Sequence, residues 1–395
     1  LVNKSSQISA SEEDRGAGYN QVVPGLYIHI PFCRKRCNYC GLSSTDSRTD
    51  EIKDYIPALL REIKKRCKGL VFKTVFIGGG TPSLLSPSMI KSIMEAVSQV
   101  ASLEPGFEAS IEVNPESVTP VFVEGLIESG FNRISVGAQS LIDEECAFLG
   151  RLHTPLEVAE TFKLFRAAGL TNLSLDLIAA FPGPSLLNCK TTLKRAMELS
   201  PAHISLYLYH REENTVFDSL LSKGDIHDVD EDEQVAIYQY AQQFMEAHSY
   251  SQYEISNFAR DGRVCIHNLN YWYDREYVGV GAGAASFLNG ERFTNIPDPE
   301  LYCKAVQNGK SLVDYSECLD EESYWREAVV LRLRMTNFFS LSSINPQPDA
   351  KVVADVRSKL LHCAEAGLVN VRCEDEFCLS NKGLLLANEV MSRVV

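Results

Sequence analysis

Three cysteines, Cys33, Cys37 and Cys40, fall within eight residues in the stretch "HIPFCRKRCNYCG". The spacing is C-x3-C-x2-C, and three is an odd number for thiols. A structural zinc site takes four tetrahedral ligands, usually as two C-x2-4-C halves, and no second half follows here. A disulfide would leave one thiol over and needs oxidising surroundings. A cubane iron–sulfur cluster normally takes four thiolates. Held by three, it leaves one iron open to an outside ligand, which is what chemistry at a metal requires.

The elements around these cysteines repeat. Strand-like runs read "GLYIHI" (25–30), "KTVFIG" (73–78), "EASIEVN" (108–114), "NRISVGA" (132–138), "NLSLDLI" (172–178) and "HISLYLY" (203–209). Helical patterns lie between them, over 50–65, 86–100, 119–129, 155–168 and 185–199. Strands alternating with helices predict a parallel sheet of βα units. Six units in series suggest a barrel or partial barrel. Chemistry in such folds gathers at the C-terminal ends of the strands. The residues of chemical interest fall there. The three cysteines follow the first strand, and "GGGTP" (78–82) ends the second. Glu112 is near the end of the third, Gln139 just past the fourth, and Asp176 inside the fifth.

The chain has 395 residues, 45% hydrophobic and 23% charged, with a net charge of −14. That acidity argues against a nucleic-acid partner, because phosphate binding needs clustered Lys and Arg. No stretch approaches the roughly 20 apolar residues of a membrane span. Nine of the 12 cysteines are scattered singly, which points to reducing surroundings rather than a disulfide scaffold. Residues 1–20 are polar and read as a disordered tail. The first residue is Leu1, not Met, so a removed leader or a fragment is expected. The expected compartment is the cytoplasm, or an organelle matrix or stroma if a leader was removed. After about Glu254 the rhythm changes. The expected divisions are a core over 21–255, an aromatic-rich segment and linker over 256–315, and a mostly helical domain over 316–395. The end of that domain reads helix, glycine stop, two short strands, helix, as in a winged helix. Residues 351–395 balance six Lys/Arg with six Asp/Glu, so an interaction or lid role is expected there. "GVGAGA" (279–284) lacks the full G-x-G-x-x-G pattern and is not read as a dinucleotide site.

The C-x3-C-x2-C loop after the first strand, followed by "GGGTP" after the second, resembles the radical S-adenosylmethionine (SAM) enzymes. "LYIHIPFC", "FIGGGTPSLL", "IEVNPES", "RISVGAQS", "LGRLHT" and "LDLIAAFPGP" resemble the branch that holds oxygen-independent coproporphyrinogen III oxidase (HemN) and the heme chaperone HemW. The likeness runs from about Tyr27 to Gly290 and continues weakly beyond. It implies a (βα)6 partial TIM barrel with a winged-helix-like extension. It also implies a [4Fe-4S] cluster on Cys33, Cys37 and Cys40, SAM on the open iron, and an electron donor for the cluster. The oxidase carries an extra cysteine two residues after the last ligand, where this chain has Leu42. HemW-like proteins lack it too, and carry an H-N-x-x-Y-W motif that stands here as His267, Asn268, Tyr271 and Trp272. Both differences point to a chaperone that holds heme and delivers it to acceptor proteins. The alternative is an oxidase that decarboxylates coproporphyrinogen propionates through a SAM-derived radical, with the cofactor supplying the chemistry.

Each candidate residue also has a plainer role. Gly78, Gly79 and Gly80 suit a tight turn; by resemblance they, with Thr81, meet the SAM amino group. Glu112 suits an amine or ribose hydroxyl, or pairs with a cation at the core's edge. Gln139, Arg151 and Asp176 line the SAM pocket by resemblance, Arg151 matching a carboxylate through its fork. Tyr27 and Tyr39 flank the cluster loop, where Tyr39 either covers the adenine or packs. His267 is either a heme ligand or a hydrogen-bonded structural residue, beside the ring-stacking Tyr271 and Trp272. Ala179, Ala180, Pro184 and Ala285 depart from the branch's usual Tyr, Gly, Gln and His.

Overall fold

The structure is a computed structural model that describes residues 23–42, 44–46, 49–183, 185–373 and 375–395. The tail expected over 1–20 and the departure at Pro184 lie outside the described residues. Six parallel strands run in sequential order: β1 (Gly25–Ile30), β2 (Val71–Gly79), β3 (Ser102–Val113), β4 (Arg133–Gln139), β5 (Leu173–Ala179) and β6 (His203–Leu208). The helices between them are α1 (Thr49–Arg66), α2 (Pro87–Val100), α3 (Pro120–Glu128), α4 (Pro155–Ala167) and α5 (Leu186–Leu199). A short helix, Asp143–Phe148, precedes α4. This is the expected α/β partial barrel.

Local chemistry sets the helix starts. Thr119 and Thr154 cap α3 and α4, each followed by proline at the first helical position. Ser86 and Pro87 do the same for α2. A side-chain oxygen satisfies an orphan amide, and proline has no amide to leave orphaned.

Side chains alternate across each strand, and here the alternation sorts two environments. Val75, Ile77, Ile111, Ile134, Val136, Leu173, Leu175, Leu177, Ile204 and Leu206 join the main hydrophobic core beneath the helices. The intervening residues are largely polar: Thr74, Glu108, Ser110, Glu112, Arg133, Ser135, Ser174, Asp176, His203 and Ser205. The barrel therefore has a polar lumen, unlike the branched aliphatic filling of a closed TIM barrel.

The sheet continues beyond both ends of this run. β7 (Tyr277–Val280) runs parallel to β1. β8 (Ala285–Leu288), β9 (Glu291–Asn295) and β10 (Val313–Cys318) extend the sheet antiparallel beyond it. Two short strands, Asn257–Ala259 and Ser251–Gln252, flank β6 on the other side and complete twelve strands. Helix α6 (Ile266–Trp272), carrying "HNLNYW", lies between these edges.

Residues 321–394 build a second core, around Trp325, Val329, Leu333, Leu360, Phe377 and Val390. Three helices there, Glu321–Leu333, Ala350–Glu365 and Ala387–Val394, meet a three-stranded antiparallel sheet, as a winged helix does. Arg334 reaches back to the buried Glu254 at 3.5 Å and lies over the Trp272 ring at 4.2 Å. Among the described residues no helix is long and apolar enough to cross a membrane.

Candidate functional site

The three cysteines sit at the mouth of the lumen, in a loop held by its neighbours. Thr81 N–H donates to Phe32 O at 2.7 Å and Gly80 N–H to Ile30 O at 2.8 Å. The second strand's end thus lies flat against the start of the cysteine loop. A methyl group on Gly80 would stand 2.6 Å from Phe32 O and 3.0 Å from Cys33 Sγ. Only glycine leaves that space beside the sulfur. Gly79 has φ +115°, and a side chain there would strike the His29 ring at 2.6 Å. Thr81 Oγ1 donates to Cys33 Sγ at 3.6 Å, and Arg151 Nη1 donates to Cys37 Sγ at 3.3 Å. Asn38 ties the loop to the far side of the mouth, through Leu149 O at 3.0 Å and Phe148 O at 2.8 Å. Burial pushes the Cys33 and Cys40 thiols up. Thiolates there need a cation, and a metal supplies one. Among the described residues no three His, Cys, Asp or Glu side chains converge tightly enough to hold a single ion. The gap that Gly80 leaves beside Cys33 and a donor set of three thiols suit a thiolate-bound cluster.

Arg151 is the keystone of this mouth. Its Nη2 also donates to Asn114 Oδ1 and Gly137 O, both at 2.7 Å, while its Nε is buried without a partner. Gln139 closes β4 in the left-handed region, at φ +67°. Tyr39 packs with Leu149, Phe181 and Phe217, beside Cys37 and Arg151 of the mouth.

Below the mouth the lumen encloses a cavity of about 180 Å³ lined by Tyr27, Phe76, Glu112, Arg133, Ser135, Asp176, Ser205, Tyr207, His267, Asn268 and Tyr271. Glu112 accepts from Gly79 N–H at 3.1 Å. Burial, with the Asp176 charge second, pushes its carboxyl from an ordinary 4.5 up to about 8. Asp176 is raised by burial but accepts from Ser135 at 2.7 Å and Ser174 at 3.2 Å. Tyr27 hydrogen-bonds His29 at 2.9 Å, and its ring stacks on Phe76.

Helix α6 seals the lumen because Glu108 caps it from across the sheet. The Glu108 carboxylate accepts from Ile266 N–H and His267 N–H, both at 3.1 Å. A carboxylate at a helix N-terminus satisfies orphan amides and meets the positive end of the dipole. His267 is 1% exposed, and both its ring nitrogens are engaged: Nδ1 with Thr74 at 2.7 Å, Nε2 with Tyr271 at 2.8 Å. His267 is held between two hydroxyls and stacked on Phe76 at 5.0 Å. Burial pushes it down to about 3, so it stays neutral.

Tyr27, Glu112, Asp176 and His267 thus share one cavity, while the cysteines, Gly79, Gly80, Thr81 and Arg151 share the mouth above it. Sequence reasoning missed Arg133, Ser135, Ser205 and Tyr207. Their signal was present as polar residues at every second position of β4 and β6.

A family model described as "Radical SAM superfamily" matches residues 27–196. The chain is 34% identical to "Heme chaperone HemW" of Bacillus subtilis (strain 168), over 93% of this chain and 98% of that protein. It is 32% identical to "Radical S-adenosyl methionine domain-containing protein 1, mitochondrial" of Danio rerio, over 80% of this chain and 73% of that one. Among solved structures, coproporphyrinogen III oxidase (HemN) from Escherichia coli superposes with a TM-score of 0.83, at 24% identity, over 94% of this chain and 90% of that chain.

Proposed function

The chain belongs to the HemW family of radical SAM proteins, and from that premise we propose that it is a heme chaperone: it carries a [4Fe-4S] cluster, binds SAM, holds heme and delivers it to acceptor proteins. The near full-length identity to a protein named as a heme chaperone carries this reading. The geometry supports it. Cys33, Cys37 and Cys40 would hold the cluster, which supplies an iron with an open position for SAM. Gly79, Gly80 and Thr81 present backbone beside Cys33, where a ligand can approach closely. Glu112, Gln139 and Asp176 offer polar groups below, and Arg151 holds Cys37 in place. An electron donor reaches the cluster from the exposed side of its loop, where Arg34 and Lys35 stand in solvent. His267 enters as the residue that fixes α6 over the lumen, and ligation of iron by it would require its bond to Tyr271 to break.

The oxidase alternative gains less. Leu42, where the oxidase has a cysteine, is 59% exposed and offers no ligand. The superposition on HemN, at 24% identity, speaks for the fold alone. The test is an anaerobic hemin titration of the iron-loaded full chain, followed by the Soret band. Saturable binding of one heme per chain is expected. Binding that never saturates would overturn the chaperone reading.

A further inference from the structure

Every charged group of the lumen is satisfied except one. Asp176 has its serines, Glu112 its amide from Gly79, and Glu108 the two amides of α6. Arg133 is 2% exposed, lines the same cavity, and makes no hydrogen bond or ion pair among the described residues; its Nε is buried and unpartnered. Burial works against its charge, and the groups around it, Cys265, Glu108 and Asp176 among them, outweigh that burial. What remains unfilled is the hydrogen-bonding capacity of a guanidinium that lines the cavity.

We infer that Arg133 is the anchor for a carboxylate of the bound ligand, received through the lumen. The inference rests on the chaperone reading above for its main ligand. A planar fork of donors matches a carboxylate bidentately. The cavity, about 180 Å³, is smaller than the roughly 300–1,000 Å³ of a whole small-molecule site. It admits a carboxylate-bearing arm and no macrocycle. The rings of Tyr27, Phe76, Tyr207 and Tyr271 beside it cover the apolar stem of such an arm. The acids nearby do not repel it strongly. Glu112 is largely protonated near neutral pH, and Asp176 is screened by its serines. The source is a propionate of heme; the methionine end of SAM belongs at the open iron of the mouth, and the SAM pair serves as the control.

The test compares hemin with hemin dimethyl ester, and SAM with decarboxylated SAM, on the iron-loaded full chain and on Arg133→Met. Binding is read by the Soret band and by calorimetry, and folding by thermal melting. The wild type is expected to prefer free hemin over its ester by about tenfold or more, the size of a charged hydrogen-bond pair, and Arg133→Met to lose that preference. Loss of the preference for intact SAM, with the preference for free hemin kept, overturns the anchor for heme. Arg133→Lys keeps the charge without the fork. It is expected to retain part of the preference, and it carries the test if the methionine variant does not fold. Both preferences unchanged in the substituted chain overturn the anchor. Absent saturable hemin binding in the wild type overturns the chaperone reading and the anchor that rests on it, whereas unchanged preferences beside saturable binding overturn the anchor alone.

Discussion

The lumen of the barrel and the core of residues 321–394 are both buried, and they are filled in opposite ways. The C-terminal core closes on Trp325, Val329, Leu333, Leu360, Phe377 and Val390. The lumen is lined by Glu108, Glu112, Arg133, Ser135, Asp176, His203 and Ser205, with space left over. Apolar burial stabilises by roughly 25 cal/mol per Å². Polar burial at best breaks even once each group is paired. The contrast separates a region built for stability from one built to bind, with the barrel's outer apolar face supporting the second.

Four substitutions or conditions would break or sharpen that contrast. The largest effect is expected at the mouth. Cys33→Ala, Cys37→Ala or Cys40→Ala should each lose the iron and sulfide of the reconstituted protein, measured chemically, with little change in melting of the iron-free chain. Normal iron content in any of them would remove that thiol from the ligand set. Leu360→Ala should do the reverse. It leaves a cavity in a closed core and costs about 2–5 kcal/mol in denaturant unfolding, while iron content is kept. Glu108→Ala strips the cap from α6 and leaves the amides of Ile266 and His267 unpaired. A loss of about 1–3 kcal/mol is expected, with faster amide exchange over 266–272; exchange unchanged there would deny Glu108 its sealing role.

The remaining effect concerns pH. Glu112 binds its proton more tightly folded than unfolded, because burial raises its value from 4.5 to about 8. Its contribution to stability is therefore full below about 4.5 and is lost as pH rises toward about 8. Denaturation midpoints should fall over this window in the wild type, and fall less in Glu112→Gln. Asp176, Asp274 and Glu254 are raised by burial as well and sustain the remaining slope. An identical slope in both proteins would mean that Glu112 is ionised in the folded state.

Much of this arrangement is legible in the sequence, for a physical reason. The strand and helix periods are local, so the βα order and the placing of Cys33, Glu112 and Asp176 at strand ends can be read directly. The polar alternation of β4 and β6 is equally local, yet Arg133 and Ser205 look like ordinary breaks in apolar runs until a lumen exists for them to face. The bonds that fix His267 are not local. Thr74 lies 193 residues from it in sequence, and Glu108 lies 158 residues from Ile266. No spacing announces such pairs, so the sequence leaves His267 open between ligand and structural residue. The antiparallel extension through β10 depends likewise on pairings that propensity does not specify.

The central claim is that ligand enters the polar lumen and leaves the C-terminal core alone. Hydrogen exchange by mass spectrometry on the iron-loaded full chain, with and without hemin, tests it directly. Protection is predicted over 132–139, 172–179, 203–208 and 266–272, with no change over 350–394. Protection confined to 350–394, with the lumen strands unaffected, would contradict the account.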